Sequence, residues 1–318
     1  MFFYKFLAAS AHKKLYGHRC KINPGLKYFS HTDFKDLNRD DFSFTSRFND
    51  VVRGGIYYKD GCRDDVLVIF VHGNGAGHTA YMKEINYLTD HHFKVLSYDV
   101  TGTLESDGGC LRGFYQHPSD LEDLINYLST DNYYKNTPIY LVGHSWGGYT
   151  VLNSLHFINN ENVKKIVSIS GLRSMESTFK EHSNRKLHRA IKYMMDIEEK
   201  IYGKNVYFDA CDYINKCQTP LLLIHSDDDP VVNYEYNFKK MISYIDGNEL
   251  IKYVTVHERL HNPTYTKESV EKLKEYLKCV NKLKSDKEKI TLRDQTDFNE
   301  FTRMDDDIMH LIINFLNK

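Results

Sequence analysis

Apolar residues along the chain fall in short runs that alternate with longer amphipathic stretches. Runs rich in Val, Ile, Leu and aromatic residues lie at 66–71, 93–98, 138–143, 163–170, 220–226 and 250–256. Several are apolar at consecutive positions, which is typical of parallel strands covered on both faces. Helical periodicity follows at 78–89, 119–130, 146–158, 234–245, 266–283 and 305–317. The alternation predicts an α/β fold in which helices cover both faces of a doubly wound, mostly parallel sheet of about eight strands.

Two regions modify this regular pattern. The segments FSFTSRF and VVRGGIYYKD precede the first central strand and are typical of a hairpin, which adds antiparallel strands at one edge of the sheet. Residues 172–216 contain no central strand but keep helical periodicity. Its apolar side comprises Leu187, Ile191, Met194 and Ile201. We therefore predict a single domain over 1–318 with a helical cap inserted at 172–216.

The N-terminal stretch MFFYKFLAASAHKK is apolar and contains Ala-Ser-Ala, which a signal peptidase could accept. It lacks a positive n-region, and Lys5 interrupts the apolar run. Phe2, Phe3, Phe6 and Leu7 recur at helical spacing. We predict a short amphipathic helix packed on the domain, with a signal peptide as the alternative.

Charge and cysteine content exclude several classes of protein. The 42 Lys+Arg balance 43 Asp+Glu, so no global positive field favours nucleic acid. No apolar run reaches the length of about 18 residues that a transmembrane helix needs, so we expect a soluble chain without stable membrane insertion. The six cysteines have no CxxC spacing, which disfavours a zinc knuckle or a disulfide scaffold. Free thiols in a reducing, cytoplasmic compartment are the expectation.

The strongest chemical motif is Gly143-His144-Ser145-Trp146-Gly147, which lies between the run PIYLV and an apolar-periodic helix. Glycines at both flanks permit the tight strand-to-helix turn that lifts a nucleophilic serine above a sheet. Ser145 would then lie at a helix N-terminus, where developing negative charge is favoured. A glycine-rich turn that only joins strand to helix is the structural alternative.

A nucleophilic serine needs donors for the oxyanion, and VIFVHGNGAGH supplies a candidate loop. We expect the backbone N–H of Asn74 and that of Trp146 to converge on the substrate oxygen. A phosphate loop is disfavoured because no Gly-Lys-Ser/Thr follows, and a dinucleotide loop because the glycine spacing is wrong. No cofactor is therefore expected.

The acid and the base should follow the serine in chain order, each in a loop after a later strand. Asp227-Asp228-Asp229 follows the run PLLLIHS, and Asp229 is the preferred acid, with Asp228 second. His261 follows the run LIKYVTV and is the preferred base, because Pro263 keeps its loop out of a helix.

The same loop also matches the zinc-peptidase motif H-E-x-x-H, at His257-Glu258-x-x-His261. That motif binds zinc only on a helix, where both imidazoles share one face. A strand-like run ends at Val256 and Pro263 follows closely, so the loop lacks room for such a helix. We expect no metal and keep a zinc peptidase as a minor alternative.

Together these motifs resemble the α/β-hydrolase superfamily, specifically its esterase, lipase and peptidase-like serine hydrolases with an HG-x-G oxyanion loop and a G-H-S-x-G-G elbow. The resemblance covers roughly 45–318 and includes Tyr98-Asp99 followed by Gly102 and Ser106. It implies that Ser145 is the nucleophile, Asp229 the acid and His261 the base, and that the oxyanion hole is formed by the amides of Asn74 and Trp146.

The sequence departs from the family pattern at the triple aspartate and at the missing glycine before His261. About forty residues between His261 and the last helix also look like an insertion, which leaves His310 as a second candidate base.

The resemblance implies a serine hydrolase of the carboxylesterase or lipase-like type that cleaves a small or lipid-like acyl ester through an acyl-enzyme. A serine peptidase, a thioesterase and a non-catalytic binding protein are the alternatives on this scaffold. Cationic residues of the cap could attract an acidic acyl group or could simply form a solvated face. These residues are Lys180, Arg185, Lys186, Arg189 and Lys192.

Overall fold

The computed structural model describes residues 2–75, 77–157 and 161–318, and within these ranges the chain forms one eight-stranded sheet. The strands are β1 (Asn38–Thr45), β2 (Val51–Tyr58), β3 (Leu67–Val71), β4 (Lys94–Tyr98), β5 (Ile139–His144), β6 (Val163–Ile169), β7 (Leu221–Ser226) and β8 (Ile251–Val256). Their order across the sheet is β1-β2-β4-β3-β5-β6-β7-β8. β1 and β2 pair antiparallel, as do β2 and β4, and the other pairs are parallel. The predicted sheet, with its antiparallel edge, is confirmed.

Helices lie between and after the strands. They are α1 (Phe2–Tyr16), α2 (Met82–Asp90), α3 (Gln116–Thr130), α4 (Trp146–Phe157), α5 (Met175–Glu181), α6 (His188–Tyr202), α7 (Ala210–Tyr213), α8 (Phe238–Ile242), α9 (Lys267–Lys282), α10 (Asp286–Asp294), α11 (Phe298–Phe301) and α12 (Asp306–Asn317). The stretch between His261 and the last helix therefore consists largely of α9, α10 and α11.

Each face of the sheet has its own apolar core, because successive side chains of a strand point to opposite faces. In β3, Ile69 and Val71 pack into the core that includes α3, α4 and the cap. Val68 and Phe70 pack into the second core, with α2, α9 and α12. The prediction that helices cover both faces is confirmed.

The predicted helices match the observed ones to within a few residues, except for the one at 234–245. The helix predicted at 234–245 is reduced to α8, which begins only after Asn237, where φ is -109° and ψ is -76°. The side chain of Asn237 donates to Glu181 and to the carbonyl of Asn233. The helix predicted at 146–158 matches α4, and position 158 lies outside the described residues.

The segment 172–216 is helical, as predicted, and lies between β6 and β7. It comprises α5, α6 and α7, joined by short 3-10 turns. Ile191 and Met194 of α6 are buried, in line with the predicted apolar side. Leu187 is exposed instead, because it belongs to the 3-10 turn that precedes α6.

The N-terminal residues form α1, which packs against α6 of the cap. Ala8, His12 and Tyr16 face inward. The predicted helix is confirmed, but its predicted apolar inner side is wrong, since the side chains of Phe3 and Phe6 are 66% and 68% exposed. The side chain of Phe2 lies outside the described part of the chain.

The structure also bears on the predictions from composition. Across 2–75, 77–157 and 161–318, no helix has both the length and the apolarity needed to cross a bilayer. All six cysteines are free thiols in this structure.

Candidate active site

Ser145 lies in a sharp turn between the end of β5 and the first residue of α4. Its φ of 60° is in the left-handed region, which is costly for a residue with a Cβ and is often found at functional sites. A Cβ at Gly147 would collide with the carbonyl of Val71, and one at Gly143 with the carbonyl of Gly147. The motif therefore needs both glycines because the backbones of three segments touch at this turn.

Ser145, His261 and Asp229, the predicted nucleophile, base and acid, form one hydrogen-bonded row. His261 Nε2 lies 2.9 Å from Ser145 Oγ, and His261 Nδ1 lies 2.7 Å from Asp229 Oδ2. They follow β5, β8 and β7, whose carboxyl ends meet at one edge of the parallel sheet. This arrangement can transfer a proton from the hydroxyl to an imidazole whose other nitrogen is held by a carboxylate.

Asp229 is buried and strongly held in its ionised form. Burial by itself would raise the pKa of this carboxyl, but hydrogen bonds from His225 and His261 lower it, and the net pKa lies well below its usual range. Oδ1 also accepts the amides of Val231 and Val232 at 2.8 and 2.9 Å. The carboxylate is therefore a fixed negative charge beside His261.

The other two residues of the triple aspartate have different partners. Asp227 Oδ2 lies 2.6 Å from His257 Nδ1. Asp228 Oδ1 accepts the hydroxyl of Ser226 at 2.6 Å and the amide of Leu260 at 2.9 Å. Asp228, the second candidate for the acid, thus braces the loop that carries His261.

The alternative zinc motif does not form a helix. Glu258 and Leu260 both have positive φ values, 58° and 49°, so residues four apart do not share a helical face. His257 bonds to Asp227, whereas His261 bonds to Ser145. Within the described ranges, no three His, Cys, Asp or Glu side chains are gathered as a metal site would require.

His310, the second candidate base, lies on the outer surface of α12. Its Nδ1 contacts the carbonyl of Asp306 at 2.7 Å and the hydroxyl of Tyr87 at 3.4 Å, and its ring packs edge-on against that of His91. The side chain is exposed and has no contact with Ser145.

A cleft of about 370 Å³ opens beside Ser145 and is also lined by Asn74 and Trp146. Trp146 begins α4, so its N–H has no carbonyl one turn earlier within the helix. Its indole is fixed by a hydrogen bond from Nε1 to the carbonyl of Phe114 at 3.0 Å and by stacking on His117 at 4.2 Å. The structure thus brings both predicted oxyanion donors to the same cleft as the serine.

Histidines anchor the loop of Asn74 on both sides. His72 contacts the carbonyl of Gly73 through Nδ1 at 2.6 Å, and its Nε2 accepts the amide of Val100 at 3.0 Å. On the other side, His78 Nδ1 lies 2.8 Å from Asp99 Oδ1. Burial would raise the pKa of Asp99, but the His78 contact lowers it to about 2.

Comparisons with known proteins support the fold described above. A family model described as the alpha/beta hydrolase fold matches residues 66–196, which include the elbow and the Asn74 loop. The chain has the α/β-hydrolase fold.

The known proteins that resemble this chain are distant from it in sequence. A bifunctional esterase/perhydrolase of Acinetobacter calcoaceticus is 22% identical over 249 aligned positions, and the match covers 62% of this chain and 87% of that protein. The Pyrococcus furiosus esterase Pf2001 superimposes with a TM-score of 0.57 at 18% identity, covering 82% of this chain and 97% of that one. The α/β-hydrolase GrgF of Penicillium sp. gives a TM-score of 0.55 at 15% identity, with coverages of 77% and 98%.

Sequence reasoning missed a network that connects the elbow, the His261 loop and the Asn74 loop. His144 Nε2 lies 2.7 Å from the carbonyl of His261, and its Nδ1 lies 2.9 Å from the hydroxyl of Tyr81. That hydroxyl accepts the amide of Gly73 at 3.0 Å. Burial, reinforced by His261, lowers the pKa of His144 to about 3, so the imidazole is neutral. A neutral ring donates to His261 from Nε2 and accepts from Tyr81 at Nδ1.

The attachment of the cap was also missed. Glu198 of α6 is fully buried, and its carboxylate accepts the amides of Phe114 and Tyr115 at 2.8 and 3.2 Å. His12 of α1 contacts the same carboxylate at 2.9 Å. One side chain therefore joins the cap, α1 and the segment that carries Phe114 into the cleft. The apolar period of α6 predicted a buried side, but nothing in it distinguishes a buried glutamate from a solvated one.

Proposed function

We propose that the protein is a serine hydrolase that cleaves a carboxylic ester through an acyl-enzyme. The observation that carries the proposal is the unbroken row from Ser145 Oγ through His261 to Asp229, with distances of 2.9 and 2.7 Å. The strained backbone of Ser145 supports it, because such strain persists where the surrounding structure over-determines it. Esterases among the relatives of the chain favour an ester over an amide or a thioester.

Acylation begins when His261 Nε2 takes the proton of Ser145 Oγ as that oxygen attacks the ester carbonyl carbon. The carbonyl oxygen becomes an oxyanion that accepts the N–H groups of Asn74 and Trp146. Asp229 stabilises the imidazolium. The C–O bond to the alcohol then breaks, and His261 returns the proton to the leaving oxygen.

Deacylation repeats these steps with water in place of the serine. His261 takes a proton from the water, the hydroxide oxygen attacks the acyl carbon, and the bond to Ser145 Oγ breaks. The proton returns to Oγ and the carboxylic acid leaves. Every proton is carried by His261, so the cycle needs neither a metal nor an organic cofactor.

The cleft favours an apolar acyl or alcohol group. Apolar side chains dominate its walls, namely Leu111, Phe114, Leu172, Val231 and Val232. The cap cations that could have attracted an acidic acyl group do not line it, and Lys180 pairs with Glu176 at 2.7 Å. Residues 172–216 would act as a cap over this cleft within a single domain.

The test is hydrolysis of p-nitrophenyl esters of increasing acyl length by wild type and by Ser145→Ala. We expect the wild type to release nitrophenol and the variant to be slower by a factor on the order of 10⁴ or more. Thr150→Ala is a matched control, because it removes a hydroxyl one turn along α4 that bonds only within the helix, to the carbonyl of Trp146.

Equal rates for wild type and Ser145→Ala would contradict the proposal. A folded wild type that hydrolyses none of the esters would leave the non-catalytic binding protein as the better description. Higher activity on matched amides or thioesters would retain the mechanism and change the substrate class.

A further inference from the structure

The N-terminal residues and the adjacent part of the cap form a surface with an unusual charge distribution. We define the basic cap face as residues 2–21 and 182–195. It contains nine of the chain's 42 lysines and arginines and none of its 43 aspartates and glutamates. These cations are Lys5, Lys13, Lys14, Arg19, Lys21, Arg185, Lys186, Arg189 and Lys192. A net charge of -1 for the whole chain therefore conceals a strongly positive region.

The two segments of the basic cap face belong to one surface. α1 packs along α6, and Lys5 Nζ lies 5.6 Å from the ring centre of Tyr193. Nearby carboxylates do not neutralise this surface fully. Glu198 is buried on the amides beneath it, and Asp196, the next carboxylate along α6, is half-buried.

The same surface exposes large apolar side chains. Phe3 and Phe6 are 66% and 68% exposed, and Leu15 and Leu187 are 49% and 39% exposed. α9 provides a contrast, because its exposed positions carry mainly lysine and glutamate. Exposed aromatic and aliphatic side chains beside lysines suit the headgroup region of a membrane, where apolar groups insert and cations meet anionic lipids.

The basic cap face also borders the cleft of Ser145. Lys14, Leu15 and His18 from the N-terminal segment line that cleft, as does His182 of the cap. A flat surface that contacted Phe3 and Leu15 would therefore lie beside the cleft.

We propose that the basic cap face docks on an anionic lipid surface, with Phe3 and Phe6 inserted among the headgroups and the exposed lysines and arginines paired with lipid phosphates and carboxylates. Arg19 is the exception, because its guanidinium already donates to backbone carbonyls of residues 103–108. The occupant is a lipid surface, because cations and exposed aromatic side chains occur together and lipid headgroups satisfy both. The docking goes beyond ester hydrolysis and does not depend on it. If both hold, the cleft would receive lipid-like esters directly from that surface.

Co-sedimentation with vesicles tests the docking directly. We expect the wild type to partition onto vesicles of phosphatidylcholine mixed with phosphatidylserine, and far less onto phosphatidylcholine alone. Lys13→Glu combined with Lys192→Glu should lower partition on the order of a hundredfold. Phe3→Ser combined with Phe6→Ser should lower it roughly tenfold.

Matched controls change the same residue types elsewhere on the surface. Lys284→Glu with Lys287→Glu reverses two exposed cations, one just before α10 and one in its first turn. Tyr133→Ser removes an aromatic side chain that is 63% exposed. Both controls should partition like the wild type. Thermal midpoints, measured for every variant, separate loss of binding from loss of folding.

Several results would overturn the proposal: equal partition onto both kinds of vesicle, equal losses in the controls, or no partition by the wild type. The last would leave an acidic protein surface as the occupant of the basic cap face. Ser145→Ala should bind vesicles like the wild type, so a failure of the hydrolytic proposal stays distinct from a failure of docking.

Discussion

The loops at the carboxyl ends of the strands and the region formed by the cap and α1 contribute to the same cleft in different ways. The strand-end loops carry Ser145, Asp229 and His261, whose positions follow from chain order and from strands that end at one edge. The cap and α1 carry no residue of that row. They supply cleft walls and are tied to the rest of the molecule through Glu198.

The difference separates two kinds of constraint. Chemistry at the strand ends needs particular residue types in fixed geometry, so it leaves short motifs. Attachment of the cap needs only buried side chains and a hydrogen-bond partner for each buried polar group. Many sequences could meet these needs, so the attachment leaves no short motif. Substitutions at the strand ends should therefore affect rate more than stability, and substitutions at the cap should do the reverse.

The largest expected effect is a loss of activity that should follow substitution of Asp229 but not of the neighbouring Asp228. Asp229→Asn removes the carboxylate that orients His261 and stabilises its cation, so kcat/KM on an aryl ester should fall on the order of 10⁴-fold. Asp228→Asn is the matched variant and should cost less than about tenfold, because an amide oxygen can still accept from Ser226 and Leu260. Equal losses would show that the loop matters as a whole and that Asp229 has no special role.

Glu198→Ala should act on stability. The amides of Phe114 and Tyr115 and the ring of His12 would lose their buried partner, which should lower the free energy of unfolding by about 3 kcal/mol. Urea unfolding measures this change. Glu199→Ala, which removes a partly exposed carboxylate bonded to Tyr207, is the control and should have a small effect. A Glu198 variant as stable as the control would contradict the attachment described above.

The third prediction concerns the pKa of Glu84, which can be tested through the pH dependence of stability. Glu84 lies in α2 beneath the loop of His261 and bonds to Thr264 at 3.1 Å. Burial raises the pKa of Glu84 from 4.5 to about 7. The folded state therefore binds this proton more tightly than the unfolded state, and stability from this group is lost as pH rises from about 4.5 through 7.

Glu84→Gln cannot lose a proton and should escape that loss. Relative to wild type, its free energy of unfolding should improve by about 2.5 kcal/mol between pH 5 and pH 8. Exposed Glu271→Gln is the control and should follow the wild type at both pH values. A Glu84→Gln difference that does not change with pH would contradict the raised pKa.

The smallest expected effect concerns Tyr81, a positioning residue. Tyr81→Phe removes the hydroxyl that links Gly73 to His144. We expect kcat to fall about tenfold and KM to stay within about twofold, since small displacements of catalytic groups slow the chemical step. Tyr140→Phe in β5 is the control. A change confined to KM would mean that Tyr81 shapes the cleft and does not position the row.

The sequence predicted most of the fold and the residues of the row for one physical reason. Parallel strands covered on both faces leave continuous apolar runs, and their ends define where loops meet. Gly143 and Gly147 are recognisable in the sequence as a motif, because a Cβ at either position would collide with neighbouring backbone. The sequence favoured Asp229 over Asp228 as the acid only weakly. The conformation of the loop decides which of the two carboxylates faces His261, and the sequence does not reveal it.

The parts that the sequence did not predict depend on contacts between distant segments. His144 belongs to the predicted motif, but it bonds to the carbonyl of His261, which lies more than a hundred residues later in the chain. The apolar side of α1 was predicted to face inward, but Phe3 and Phe6 face outward and smaller residues such as Ala8 pack on the cap. Helical periodicity identified the helix and could not identify its buried side, because both sides of α1 contain apolar residues.

The most direct test of the central claim, an activated Ser145, is labelling of the purified protein by a fluorophosphonate, with the modified peptide identified by mass spectrometry. Because the reagent reacts with a serine whose proton a nearby base removes, we predict a single adduct on Ser145, lost in Ser145→Ala and strongly reduced in Asp229→Asn. Labelling of a different serine, or none in the folded wild type, would contradict the account.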